Sequence, residues 1–202
     1  MATRNADLEN LLAALEAALK RAAEPGSGVA TAIDEASRRW RTAGAPETPP
    51  TDKAPVYACF DAAVAGAVGT DAEPVAKALA TVAPELAWRT RPDRESDDPN
   101  FSKAHANAVL VGEGGLENRS DLRIGVSLLA PNTFYPNHRH PPEEVYVALS
   151  PGDWRQNEDA WMTPGPGGLV HNPPNIWHSM RSGPAPLLAI WTLLMDGPSP
   201  PA

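Results

Sequence analysis

The chain has a single cysteine, Cys59. An intrachain disulfide is therefore excluded, and a reducing, cytoplasmic setting is the simplest expectation. Basic residues are also scarce: 17 Lys and Arg stand against 25 Asp and Glu, and they form no cluster able to displace counterions from phosphates. A nucleic-acid surface is not expected, and the acidic excess reads as solubility. Long apolar runs are missing from the N-terminal region. Met1 to Asp7 holds no apolar core, and the Ala/Leu stretch after it is broken by Glu9, Asn10 and Glu16. Neither a signal peptide nor a membrane span is expected. Strand–helix alternation is absent too, which argues against a doubly wound sheet.

Proline (23 residues) and glycine (15 residues) are abundant and concentrate outside the N-terminal helices, as in a turn-rich β architecture. From Asp7 to Ala23 the apolar Leu8, Leu11, Leu12, Leu15, Ala18 and Leu19 recur at helical spacing, with a start at Asn5 or Asp7. A second helix is predicted from Val29 to Thr42, capped by Ser27 and ended by Gly44. Val56 to Val68 and Pro74 to Val82 read as a third and a fourth. Asp93 to Lys103 is charged and turn-rich and is expected to run over the surface.

After that the period changes. Ala106 to Val111, Leu122 to Leu129, Glu144 to Leu149, Trp154 to Gln156, Gly168 to His171, Trp177 to Arg181 and Leu187 to Leu194 are strand candidates separated by Gly/Pro turns. Short strands at this spacing predict an antiparallel sandwich or barrel. The expected division is a helical region over residues 1–90, packing on the barrel or on a partner subunit in a homodimer, and a β-barrel over residues 91–202.

The densest chemistry lies in Tyr135-Pro136-Asn137-His138-Arg139-His140-Pro141-Pro142-Glu143-Glu144-Val145-Tyr146. On one extended strand His138, His140, Glu144 and Tyr146 share a face, with Val145 and Val147 on the other. Two imidazoles and a carboxylate suit a divalent transition metal such as Zn, Fe or Mn and call for a further ligand. His178 is the better candidate and His171 the rival. His105 and Arg139 read as structural or solvated, and the tryptophans as core or rim.

His-x-His-x3-Glu at His138, His140 and Glu144, followed by Gly152, resembles the first cupin motif. Gly167-x5-Pro173-x-Asn175-x2-His178 resembles the second, with Asn175 where glycine is usual. More narrowly, the string from Leu129 to Tyr146, together with His178-Ser179-Met180-Arg181 and Pro186 to Trp191, is similar to the cupin-type dimethylsulfoniopropionate lyases. The helical first half resembles their longer members. The resemblance implies a small cupin β-barrel holding metal through His138, His140, Glu144 and His178, with Tyr135 lining the pocket. It also implies a small zwitterionic substrate split into dimethyl sulfide and acrylate.

Such a β-elimination needs a base. A free phenol titrates near 10, so Tyr146 or Tyr135 serves only if a metal or other positive charge depresses that value. Tyr146, two residues from Glu144, is the better placed. A sulfonium cation would suit an aromatic face, for which Phe134, Trp154, Trp161, Trp177 and Trp191 are available. A cupin dioxygenase using Fe, or a non-catalytic metal-binding cupin, would use the same ligands.

Overall fold

The computed structural model describes residues 3–91 and 101–196. Helix α1 (Ala6–Ala22) starts where Asn5 Oδ1 accepts from the Asp7 and Leu8 amides. Asp7 and Glu9 in its first turn and Lys20 and Arg21 in its last complement the helix dipole. The apolar stripe from Leu8 to Leu19 is buried as its spacing predicts, each leucine contributing roughly 2 kcal/mol. Helix α2 (Gly28–Trp40) begins at Ser27, whose hydroxyl accepts from the Ala30 amide at 3.2 Å.

Gly44 does not end α2. A side chain there would meet the Asn118 carbonyl oxygen at 2.3 Å, so the glycine permits a close backbone approach to strand β3 (Glu117–Asn118). The terminal carbonyls of α2 are met instead by arginines. Arg119 donates to Arg39 O and Thr42 O at 2.7 and 2.8 Å, and Arg4 to Trp40 O at 2.6 Å. Arg119 also grips Asp121 through two bonds of 2.7 and 3.0 Å, and Arg4 reaches Glu117 at 2.5 Å. The Arg119 and Asp121 side chains are both 0% exposed.

The expected third helix is split. Residues 55–59 form a 3-10 turn entered at Pro55, and only Phe60–Ala65 is α-helical (α3). The tighter turn brings positions i and i+3 into line, and Tyr57 and Phe60 stack there at 5.3 Å. Helix α4 (Glu73–Val82) carries Pro74 in its first turn, where the missing amide is no loss. Most of the predicted surface segment from Asp93 to Lys103 lies outside the described residues. Its described end is a single helical turn, α5 (Phe101–Ala104), with Phe101 buried rather than on the surface.

Among the described residues ten strands follow the order β1 (Ala45–Pro46), β2 (His105–Val111), β3, β4 (Leu122–Leu129), β5 (Phe134–His138), β6 (Glu143–Ala148), β7 (Asp153–Gln156), β8 (Leu169–Asn172), β9 (His178–Arg181) and β10 (Leu187–Leu194). They build a seven-stranded sheet, β1-β3-β2-β4-β10-β6-β8, and a three-stranded sheet, β5-β9-β7. The two enclose Leu129, Tyr135, Tyr146, Trp154, Met180 and Trp191 without a hydrogen-bonded strand pair joining them among the described residues.

The helices cover the other face of the large sheet. Val126, Leu128, Val145, Val147, Leu188 and Ile190 share a core with the leucines of α1. Strand β10 is apolar over Leu187 to Trp191 because both faces are buried: Leu188 and Ile190 point to the helices, Leu187, Ala189 and Trp191 to the interior. Gly125 leaves room for Trp191, since a Cβ there would lie 2.2 Å from the indole. No helix among the described residues is long and apolar enough to cross a membrane.

Candidate metal centre

The Tyr135 to Tyr146 stretch is not one strand. Strand β5 ends at His138, β6 begins at Glu143, and the two belong to different sheets. Pro141 and Pro142 lack the amides to continue the ladder, and the residue before a proline is kept extended, so the chain crosses from the small sheet to the large one here. His138 is the last residue of β5, His140 sits in the crossing, and Glu144 projects inward from β6. The shared face assumed from parity is replaced by convergence from the two sheets. Val145 and Val147 do face the helices.

His178 enters from β9 directly opposite His138. Its approach is set by Asn175, whose φ of 60° is a left-handed turn position that asparagine tolerates. The Asn175 amide donates to His140 O at 2.9 Å and so ties this turn to the crossing. One ring nitrogen from each of His138, His140 and His178 lies within 4.8 Å of the others. Ring centroids are 4.1 Å apart for His138–His178 and 5.0 Å for His140–His178.

Each imidazole is turned the same way by its own backbone. Nδ1 of His138 lies 3.0 Å from Pro136 O, Nδ1 of His140 2.9 Å from Pro142 O, and Nδ1 of His178 3.0 Å from Ile176 O. A carbonyl can only accept, so each Nδ1 donates and each Nε2 is turned toward the centre, where a neutral imidazole presents a lone pair. His178 Nε2 is buried and makes no hydrogen bond of good geometry.

Glu144 Oε2 lies 3.4 Å from His140 Nε2 and 3.3 Å from His178 Nε2. Two ligands about 2.1 Å from a common tetrahedral ion are separated by about 3.4 Å, so these spacings fit a shared metal. The buried triad can therefore hold a metal ion. Burial pushes the Glu144 carboxyl upward in pKa, but the hydrogen bonding and charge of His140 and His178 in their protonated form outweigh it and hold it well below the usual carboxylate range.

These groups open on a cavity of about 420 Å³ lined by His138, His140, Glu144, Tyr135, Tyr146, Met180 and Trp191, among others. Tyr146 is buried beside Trp154, ring to ring 6.2 Å. Tyr135 packs edge-on against Phe101 and His105, with its ring 5.0 Å from that of His138. Of the aromatic candidates for a cation, Trp191 lines the cavity. Trp154 is in the core, whereas Trp161 lies against Phe134 and under Arg155 and Arg181. Trp177 is 42% exposed beneath Arg139.

His171, the rival ligand, stays out of the triad. It pairs with Val145 in register and bonds Glu143 Oε1 at 2.6 Å. His105 is structural: its ring stacks on Phe101 at 3.8 Å, bonds Phe101 O and accepts the Arg91 amide.

Sequence reading missed Arg123, which lines the cavity from β4; its signal is a lone cation at an inward position of an apolar strand. Burial and nearby Arg91 both lower its pKa. Also missed was Asn172, fully buried on β8, whose amide donates to Glu144 Oε2 at 2.8 Å. Nothing local in the sequence marks that contact.

Comparison with known proteins bears on the family and the fold. Residues 29–189 match the family described as dimethylsulfoniopropionate lyase. The DddL protein of Cereibacter sphaeroides, which carries a dimethylsulfoniopropionate lyase name, is 32% identical over 122 residues, 58% of this chain and 50% of the relative. Dimethylsulfoniopropionate lyase DddQ of Ruegeria pomeroyi is 28% identical over 104 residues, 51% of this chain and 52% of the relative. The aligned stretches thus span about half the length of these relatives. The crystal structure of DddQ from Ruegeria pomeroyi DSS-3 shares the fold, with a TM-score of 0.77 at 23% identity over 97% of this chain and 95% of that one. The helices, the two facing sheets and the sequence match together place the chain in one group: it belongs to the dimethylsulfoniopropionate lyase family.

Proposed function

We propose that this protein splits dimethylsulfoniopropionate into dimethyl sulfide and acrylate, with His138, His140, Glu144 and His178 holding a divalent transition metal and Tyr146 acting as base. The observation that carries the reading is the opening of histidines, carboxylate and both tyrosines on one cavity in a chain of this family. When bound, the ion supplies Lewis acidity that stabilises the charge developing on the substrate carboxylate.

The side chains do the rest. The Tyr146 phenolate takes the proton from the carbon next to the carboxylate, and that C–H pair becomes the C=C bond of acrylate. The C–S bond breaks with its electrons going to sulfur, so dimethyl sulfide leaves neutral. Trp191 offers an aromatic face to the sulfonium before it departs, and Tyr135 packs the wall beside His138.

The test is release of dimethyl sulfide and acrylate in equal amounts from metal-loaded protein in closed vials, with and without oxygen. Oxygen-independent release of both supports elimination; a requirement for oxygen points to dioxygenase chemistry. No release with Zn, Fe, Mn or Ni sinks the proposal. His140→Ala is expected to lose most bound metal on elemental analysis, and an unchanged metal content would contradict its assignment as a ligand.

A further inference from the structure

We infer that Asn172 is a positioning residue that holds Glu144 correctly turned as a metal ligand, and that Gln156 locks Asn172 in that role. The inference rests on the metal-site reading above. Glu144 and Asn172 are direct partners in the β6–β8 ladder, so their side chains rise side by side into the interior. Asn172 is 0% exposed and Glu144 3%, which leaves bulk water no part in holding the carboxylate. The Asn172 amide donates to Oε2 at 2.8 Å, the same oxygen that lies 3.3 Å from His178 and 3.4 Å from His140.

An amide can be turned round, which would set its oxygen rather than its NH2 group against Glu144. Gln156 forbids it. Its side-chain nitrogen donates to Asn172 Oδ1 at 2.8 Å and to His171 O at 2.6 Å, so the Asn172 oxygen is committed and its NH2 group must face Glu144. Gln156 lies on β7 opposite His178 on β9. The relay therefore runs from the strand beside one ligand, across the gap between the sheets, to the oxygen of another. A donor aimed at a ligating carboxylate orients it and fixes which lone pair is left for the ion.

The test uses the full chain and Zn(II), with affinity read by competition against a chromophoric chelator. Asn172→Leu, close in volume but unable to donate, is expected to weaken Zn(II) binding roughly 10–100-fold. In a Glu144→Gln background the same change is expected to alter affinity by less than about threefold, because the residue it acts through has already lost its charge. An unchanged affinity in the single variant, or an undiminished loss in the Glu144→Gln background, overturns the inference. Gln156→Leu, at a half-buried position, is expected to weaken binding in the same direction by a smaller factor. It decides the matter if Asn172→Leu does not fold, an unchanged affinity again overturning the relay. Wild-type protein that takes up no Zn(II) overturns the metal-site reading and this inference together, whereas normal wild-type uptake with unaltered variants removes this inference alone.

Discussion

Replacing Tyr146 by phenylalanine is expected to lower kcat by roughly 10²–10⁴-fold, the usual contribution of a general base, while bound metal stays at the wild-type level. Tyr146 is 4% exposed and its ring packs by Trp154, so losing one oxygen leaves the packing in place. Tyr146 is not itself one of the proposed ligands, which separates its loss from that of a histidine. KM is expected to change far less than kcat, because the proton moves only in the transition state. Tyr135→Phe is the control. Its ring sits among Phe101, His105 and His138, and as a wall residue it should keep most turnover. Full activity in Tyr146→Phe together with a collapse in Tyr135→Phe would transfer the base to Tyr135. Elemental analysis and single-turnover acrylate release make the distinction.

Arg119→Met is expected to destabilise the fold by about 3–5 kcal/mol, the range for breaking a buried ion pair from one side. Asp121 is 0% exposed and Glu117 2%, and both lose a guanidinium partner. The carbonyls of Arg39 and Thr42 at the end of α2 lose their donors as well. With a urea slope of roughly 2 kcal/mol per molar, the unfolding midpoint falls by about 2 M. Arg119→Lys recovers little, since a single ammonium cannot reproduce the two-pronged grip on Asp121. A midpoint shift below about 0.5 M would show that this network adds little to stability.

Helix α1 and strands β4 and β10 were legible because each declares itself within its own residues: a leucine stripe in one, mostly apolar runs bounded by turn residues in the others. The two histidine motifs can be picked out for the same reason, and the departure at Asn175 fits its φ of 60°. What the sequence hides is partnership between distant segments. Nothing local says that Pro141-Pro142 is a crossing between sheets rather than a kink in one strand, and parity alone placed His138 and Glu144 on a common strand. Asn172 reads as a turn residue before Pro173 until β8 is paired with β6 in a register that sets it beside Glu144. The end of α2 shows the same limit. Gly44 looked like its stop, but its carbonyls are met by Arg4 and Arg119, 36 and 80 positions from their acceptors Trp40 and Arg39.

The three Nδ1 contacts to Pro136, Pro142 and Ile176 each span two residues. Every imidazole is thus aimed by its immediate neighbours, and the rotamer entropy of the cage is spent during folding rather than on ion capture. A preorganised cage of this kind does not need to refold around its guest. Under the proposed metal-site reading, stripping and reloading should be reversible, and the ion taken up would follow the intrinsic ordering of divalent metals for nitrogen and oxygen donors and their supply. Selectivity for one metal would then be a property of the cell's metal pool more than of the protein.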